Sequence, residues 1–159
     1  MFIRTVKVKR SGVIGIVLAA VAAVTAVVLA LVSFGYGKKS AVELDSEAKR
    51  QAFLAQMGWQ VNDAFDEQKT VTIPEEWNEV YINYNKLQKQ QGFDLTKYKG
   101  READIYTYTV KNYPGHENEP GIVCHLMVYG GQLIGGDVCS TALDGFMQGL
   151  RAGSTGKDK

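Results

Sequence analysis

The sequence predicts an α+β chain: an N-terminal transmembrane helix, then a small domain of two or three helices packed on an antiparallel sheet. Three observations carry that expectation. A long apolar run without a single charge lies near the amino terminus. An apolar stripe at helical period runs from Trp77 to Leu87. After Gly100 the period drops to two, and two apolar stretches flank a Gly-Gly pair.

Residues 11–37 carry no charged side chain, and within them 13–34 hold only Thr25 and Ser33 as hydroxyls. At about 1.5 Å per residue, roughly 20 apolar residues span the hydrocarbon layer of a bilayer, and a helix satisfies every backbone amide internally. The alternative, a cleaved secretory signal, has a shorter apolar core and a small-residue cleavage site. Here the nearest candidate site is Gly35-Tyr36-Gly37. No cysteine directly follows the run, which argues against a lipoprotein anchor. The basic tip at 1–12 holds Arg4, Lys7, Lys9 and Arg10. By the positive-inside bias the amino terminus is expected in the cytoplasm, the span in the cell membrane, and everything beyond it outside. Small residues such as Gly15, Ala19, Ala22 and Ala26 could line a helix–helix contact, so self-association is one expectation.

A juxtamembrane linker at 35–45 leads to an extracytoplasmic domain at 46–150 and a flexible tail at 151–159. Asp45 or Ser46 can cap a first helix that ends near Met57, with Gly58 suited to the left-handed position after it. Short strands are expected at 59–61 and 70–73. Pro74 suits the first position of a second helix, whose stripe is Trp77, Val80, Tyr81, Tyr84 and Leu87 and which Gly92 stops. Strands at 105–110 and 122–129 follow, separated by a loop with Pro114 and Pro120. Gly130-Gly131 then makes a tight hairpin returning along 132–138. Leu143, Phe146, Met147 and Leu150 give a short last helix.

The chain has 159 residues, 45% of them hydrophobic and 22% charged, which excludes wholesale disorder. Four of its 18 basic residues lie in the first ten positions and all 17 acidic ones beyond residue 37, so the domain is net acidic. That balance argues against a nucleic-acid partner, which needs a basic face to neutralise phosphates.

Several strings in the domain resemble one family. They are Gly58-Trp59-Gln60-Val61, Val71-Thr72-Ile73-Pro74, Tyr84-Asn85-Lys86-Leu87-Gln88, and Gly92-Phe93-Asp94-Leu95. Tyr98-Lys99-Gly100, Ile134-Gly135-Gly136-Asp137-Val138-Cys139-Ser140 and Asp144-Gly145-Phe146-Met147 complete the set. Together, over 48–150, they resemble a family of short Clostridia-type membrane-anchored proteins in the domain-of-unknown-function series, numbered forty-eight thirty. The resemblance implies a bacterial cell-envelope protein and no assigned activity. More distantly, the order of a helix and antiparallel strands with a Gly-containing hairpin is similar to PepSY-type domains, envelope modules thought to bind or restrain other proteins.

Cys124 and Cys139 are the only cysteines. Outside the membrane such a pair favours a disulfide, with two buried thiols as the alternative. A two-residue turn at Gly130-Gly131 sets Cys124 opposite Asp137 and leaves Cys139 a diagonal neighbour, too far for an unstrained bond. A bulge at Gly135-Gly136, or a four-residue loop, shifts the partner toward Cys139. Under the simple turn His125 and Cys139 differ in face parity, so no thiol–imidazole pair is expected. The two cysteines and two histidines show no CxxC or HxxxH spacing, so neither a metal nor a cofactor is expected. Gly135-Gly136-Asp137 opens like a cyclic-nucleotide synthase signature, but Val138-Cys139 replaces the acidic and aromatic pair that must follow.

Most tyrosines are expected in the core, with Tyr106 and Tyr108 as a candidate exposed binding patch. The reading favoured on these grounds is a non-catalytic, single-pass membrane protein. It touches the lipid bilayer through 13–34, and its outer domain binds another envelope protein or peptide. An envelope thiol-redox or hydrolytic enzyme using Cys124 and Cys139, or a glycan or small-ligand sensor, is the alternative.

Overall fold

A computed structural model of the chain describes residues 41–153. They form one antiparallel sheet of five strands in chain order: β1 (Glu67–Thr72), β2 (Glu102–Thr109), β3 (Ile122–Tyr129), β4 (Gln132–Ser140) and β5 (Met147–Gln148). Two α-helices complete the domain, α1 (Glu47–Met57) and α2 (Glu79–Gln90), with a 3-10 turn at Leu95–Tyr98.

This corrects the expected architecture. Among the described residues there are only two α-helices, and neither is long and apolar enough to cross a membrane. The run at 13–34 lies outside the described residues. The expected third helix is not formed: Met147 and Gln148 pair with Cys139 and Val138 instead, and the Ser140 amide donates to the Phe146 carbonyl at 3.0 Å. The edge of β4 offers unpaired backbone groups that a four-residue apolar pattern interrupted by Gly145 and Gly149 satisfies better than a helical turn does. The 59–61 strand reduces to one bridge between Val61 and Val110.

Alternation along the strands sends side chains to two faces, and each face carries its own core. Leu54 of α1 joins Trp59, Tyr108, Val110, Cys124, Leu126 and Val138 in the larger one. On the other face Ile73, Leu95, Ala103, Met127 and Ile134 pack together, with Tyr84 of α2 and Trp77 beside them. The sheet is thus the middle layer between α1 and α2. Leu44 is 1% exposed and belongs to the larger core, so the expected linker ends before it. The Leu44 amide donates to Gly131 and the Leu133 amide to Val42, both at 2.8 Å.

α1 ends at Gly58, in the left-handed conformation at φ 95°, as its sequence foretells. α2 begins later than Pro74 implies. Asn78 caps it by accepting the Tyr81 amide at 3.1 Å, because a side-chain acceptor satisfies an otherwise orphaned N–H and proline cannot. Asn85, buried on α2, accepts the Leu95 amide at 2.9 Å and ties the helix to the 3-10 turn.

The hairpin between β3 and β4 sets the geometry of everything that follows. Gly130 and Gly131 both have positive φ, 55° and 77°, and Tyr129 pairs with Gln132, as a two-residue turn requires. Farther on, Val128 pairs with Leu133 but Met127 pairs with Gly135, so Ile134 is an extra residue in β4. From that bulge onward every side chain of β4 has changed face relative to a regular hairpin.

Candidate functional site

On the α2 face of the sheet a groove of about 370 Å³ opens between the amino-terminal half of α2 and strands β1 to β3. Its walls are the apolar side of α2 and the segment before it, including Trp77, Val80 and Tyr81. Opposite them stand alternate residues of β1: Glu67, Lys69 and Val71. Lys69 and Glu67 pair at 2.7 Å on the exposed rim. Val80 is 73% exposed, so the apolar wall of the groove is open to solvent. Among the described residues no strand pairs with the outer edge of β1.

At the inner end of the groove lie His125 and Asp137, cross-strand partners on β3 and β4. His125 Nδ1 and Asp137 Oδ1 are 3.1 Å apart, and the carboxyl group is 3% exposed. The other carboxylate oxygen accepts the Tyr84 hydroxyl of α2 at 2.8 Å. Cys139, two residues beyond Asp137 on the same face, brings Sγ to 3.9 Å from His125 Nδ1. Asp137 first, then Cys139, hold the imidazole well above its usual range, at about 10, so His125 is a cation at neutral pH. Burial, then the Asp137 charge, push the Tyr84 hydroxyl far up, which keeps it a donor.

α2 anchors this end of the sheet through glutamine. Gln88, fully buried, accepts the Gly136 amide at 2.9 Å and donates to the Gly136 carbonyl at 3.0 Å. Gly136 lies just past the two residues that β5 pairs, so a side-chain amide takes the place of a neighbouring strand. Gln91 donates to the same carbonyl at 3.0 Å and accepts the Leu150 amide at 2.7 Å. Gly135 leaves room for this bridge, since a Cβ there would meet Gln88 Oε1 at 3.0 Å and Leu95 at 3.3 Å.

The bulge decides which sequence-predicted residues meet. Cys124 pairs with Val138 and Cys139 with Val123, so the two sulfurs point to opposite faces of the sheet. Both are free thiols, which corrects the expected disulfide. Cys124 is fully buried in the α1 core, where burial pushes its thiol up. The same one-residue shift corrects the parity expected for His125 and Cys139, which share a face. Tyr106 and Tyr108 are not an exposed patch. Tyr108 is fully buried, its hydroxyl accepts Arg50 Nε at 3.0 Å, and the Arg50 guanidinium sits 3.9 Å above the Tyr106 ring.

A thiol hydrolase places its nucleophile and its orienting carboxylate on the two different nitrogens of the imidazole. Here both face Nδ1, so the cluster is not a relay of that kind. It brings a nitrogen, an oxygen and a sulfur donor within 4.8 Å of one another. Tyr84, Gln88 and the His125–Asp137 pair were not picked out by sequence reasoning. The signal that could have found the pair is the Gly135-Gly136 doublet, read as a bulge.

A family model described as a domain of unknown function, DUF4830, matches residues 53–138, from α1 through the His125–Asp137 pair. No curated protein and no solved structure matches the chain significantly.

Proposed function

The chain belongs to the DUF4830 family, whose function is unknown, and from its groove we propose that it is a binding module for an extended peptide segment of another envelope protein, without catalysis. The single observation that carries this reading is the coincidence of an unpaired strand edge with an open apolar wall. Among the described residues no strand pairs with the outer edge of β1, and α2 stands beside it with Val80 and Tyr81 at 73% and 40% exposure. An added strand gains main-chain hydrogen bonds along such an edge, and alternate side chains enter the neighbouring pocket. The aromatic and aliphatic lining favours a bulky apolar side chain, and the Lys69–Glu67 pair at the rim gives register to a polar neighbour.

The basic tip at 1–12 and the charge-free run at 13–34 support the reading that this encounter lies outside the cell membrane. Val80→Glu and Tyr81→Glu, both at exposed positions, test the reading in crosslinked membranes. Loss of one defined adduct in both variants, with the adduct retained in Gln56→Glu on α1, supports it. Adducts unchanged by the two groove variants overturn it.

A further inference from the structure

We infer that His125 Nδ1, Asp137 Oδ1 and Cys139 Sγ form a binding site for one divalent transition-metal ion of the zinc class. It does not depend on what occupies the groove. Imidazole, carboxylate and thiolate together are the donor set of a borderline-soft ion, and three protein ligands with one open position is a familiar zinc arrangement.

The spacing fits as well. Bonds of about 2.0–2.3 Å at tetrahedral angles put ligand atoms roughly 3.3–3.6 Å apart. Nδ1 and Oδ1 are 3.1 Å apart, Sγ and Nδ1 3.9 Å, and all three donors lie within 4.8 Å of one another, so side-chain rotations that draw the oxygen and sulfur together accommodate an ion. Among the described residues this is the one cluster of three such donors.

The supports around it are those a metal site needs. Tyr84 holds the distal carboxylate oxygen at 2.8 Å and leaves Oδ1 for the ion, an outer-shell hydrogen bond of the kind that orients ligating carboxylates. The ligands sit on paired strands rather than loops, and the bulge at Ile134 is what brings Asp137 and Cys139 to the face of His125. Ligation requires a neutral imidazole and a thiolate, so any proton those two groups carry leaves to solvent as the ion enters, and the ion's charge then compensates the buried carboxylate and the thiolate. The fourth position is filled by water.

Cobalt titration of the reduced full-length chain in detergent tests this site, because Co²⁺ reports thiolate ligation and tetrahedral geometry by absorption. The expected result is a thiolate-to-cobalt charge-transfer band with strong ligand-field bands, saturating at one equivalent and erased by Zn²⁺. Cys139→Ser and His125→Ala lose the charge-transfer band or the stoichiometric binding, Cys124→Ser keeps both, and Tyr84→Phe weakens binding about tenfold. A measurement free of any variant accompanies it: one equivalent of Zn²⁺ slows maleimide modification of Cys139 in the unaltered chain at least tenfold. Absence of the bands and of protection, or a thiolate band that follows Cys124 instead of Cys139, overturns the site.

Discussion

Replacing Gln88 by leucine tests how the sheet is held at its bulge. Gln88 is fully buried and accepts the Gly136 amide, while the Gly136 carbonyl keeps a second donor in Gln91 at 3.0 Å. Leucine has a similar volume, so little cavity is created and the change is mainly one of hydrogen bonding. An orphaned buried N–H costs about 1–3 kcal/mol and the partial loss at the carbonyl about 0.5–1.5 kcal/mol. Better burial of the leucine side chain offsets some of that, and the expected loss is about 2–3 kcal/mol. A domain of this size has about 5–15 kcal/mol in hand, so the variant still folds. Urea unfolding followed by circular dichroism reads the loss as a lower midpoint at unchanged slope, by roughly 0.7–3 M for a slope of about 1–3 kcal/mol/M. A midpoint within about 0.2 M of the parent would refute the idea that Gln88 stands in for a strand.

Gly136→Ala is expected to destabilise by about 2–4 kcal/mol in the same assay, since its Cβ would collide with the His125 carbonyl oxygen and press on Leu150. Arg50→Met should cost about 2–3 kcal/mol, because Arg50 is 5% exposed and donates to Tyr108 and to the Leu44 carbonyl; equal stability would show that packing of the stem is all it supplies. Titration of His125 gives a pH dependence with a definite sign. Asp137 and Cys139 on β4, with the Tyr84 hydroxyl from α2 on the far carboxylate oxygen and Thr107 opposite on β2, surround it. Its pKa rises from 6.5 to about 10 on folding, so the stabilisation is full below about pH 6.5 and fades as pH climbs toward 10. The shift corresponds to at most about 5 kcal/mol, and screening through the 30% of the side chain that is exposed reduces it to about 2–3 kcal/mol. Urea midpoints between pH 6 and 10 should fall accordingly in the parent and stay flatter in His125→Gln. Finally, without added metal ion Cys139 is expected to react with maleimide without prior reduction and Cys124 only after unfolding; labelling that requires reduction would contradict the opposite-facing thiols.

Much of the domain was legible because local chemistry and final structure agree. Gly58 ends α1, the Val80–Leu87 part of the stripe lies on α2 with Trp77 just ahead of its cap, and Gly130-Gly131 makes the turn that pairs Tyr129 with Gln132. What could not be read from the sequence depended on partners remote in the chain. The segment after Asp144 has an apolar spacing compatible with a helix, and only the unpaired edge of β4 makes a strand of it. The site turned on a single residue. A regular hairpin separates His125 from Cys139 by face, and one extra residue at Ile134 unites them, yet period-two reasoning cannot tell in which strand a bulge falls. Tyr106 and Tyr108 alternate with polar neighbours in a way that fits an exposed face as well as a buried one. Arg50, 58 positions before Tyr108, decides between them by stacking on the Tyr106 ring and donating to the Tyr108 hydroxyl.

The measurement that bears most directly on the peptide-binding account is site-specific photo-crosslinking in intact membranes. A photoreactive residue is placed at Val80 in the groove wall and, separately, at exposed Gln56 on the opposite helix. The account predicts an adduct from Val80 that maps to one contiguous segment of a second envelope protein, is absent from Gln56, and disappears when Tyr81 is changed to Glu. Identical adducts from the two positions, or none from Val80 while Gln56 captures a partner, would contradict it.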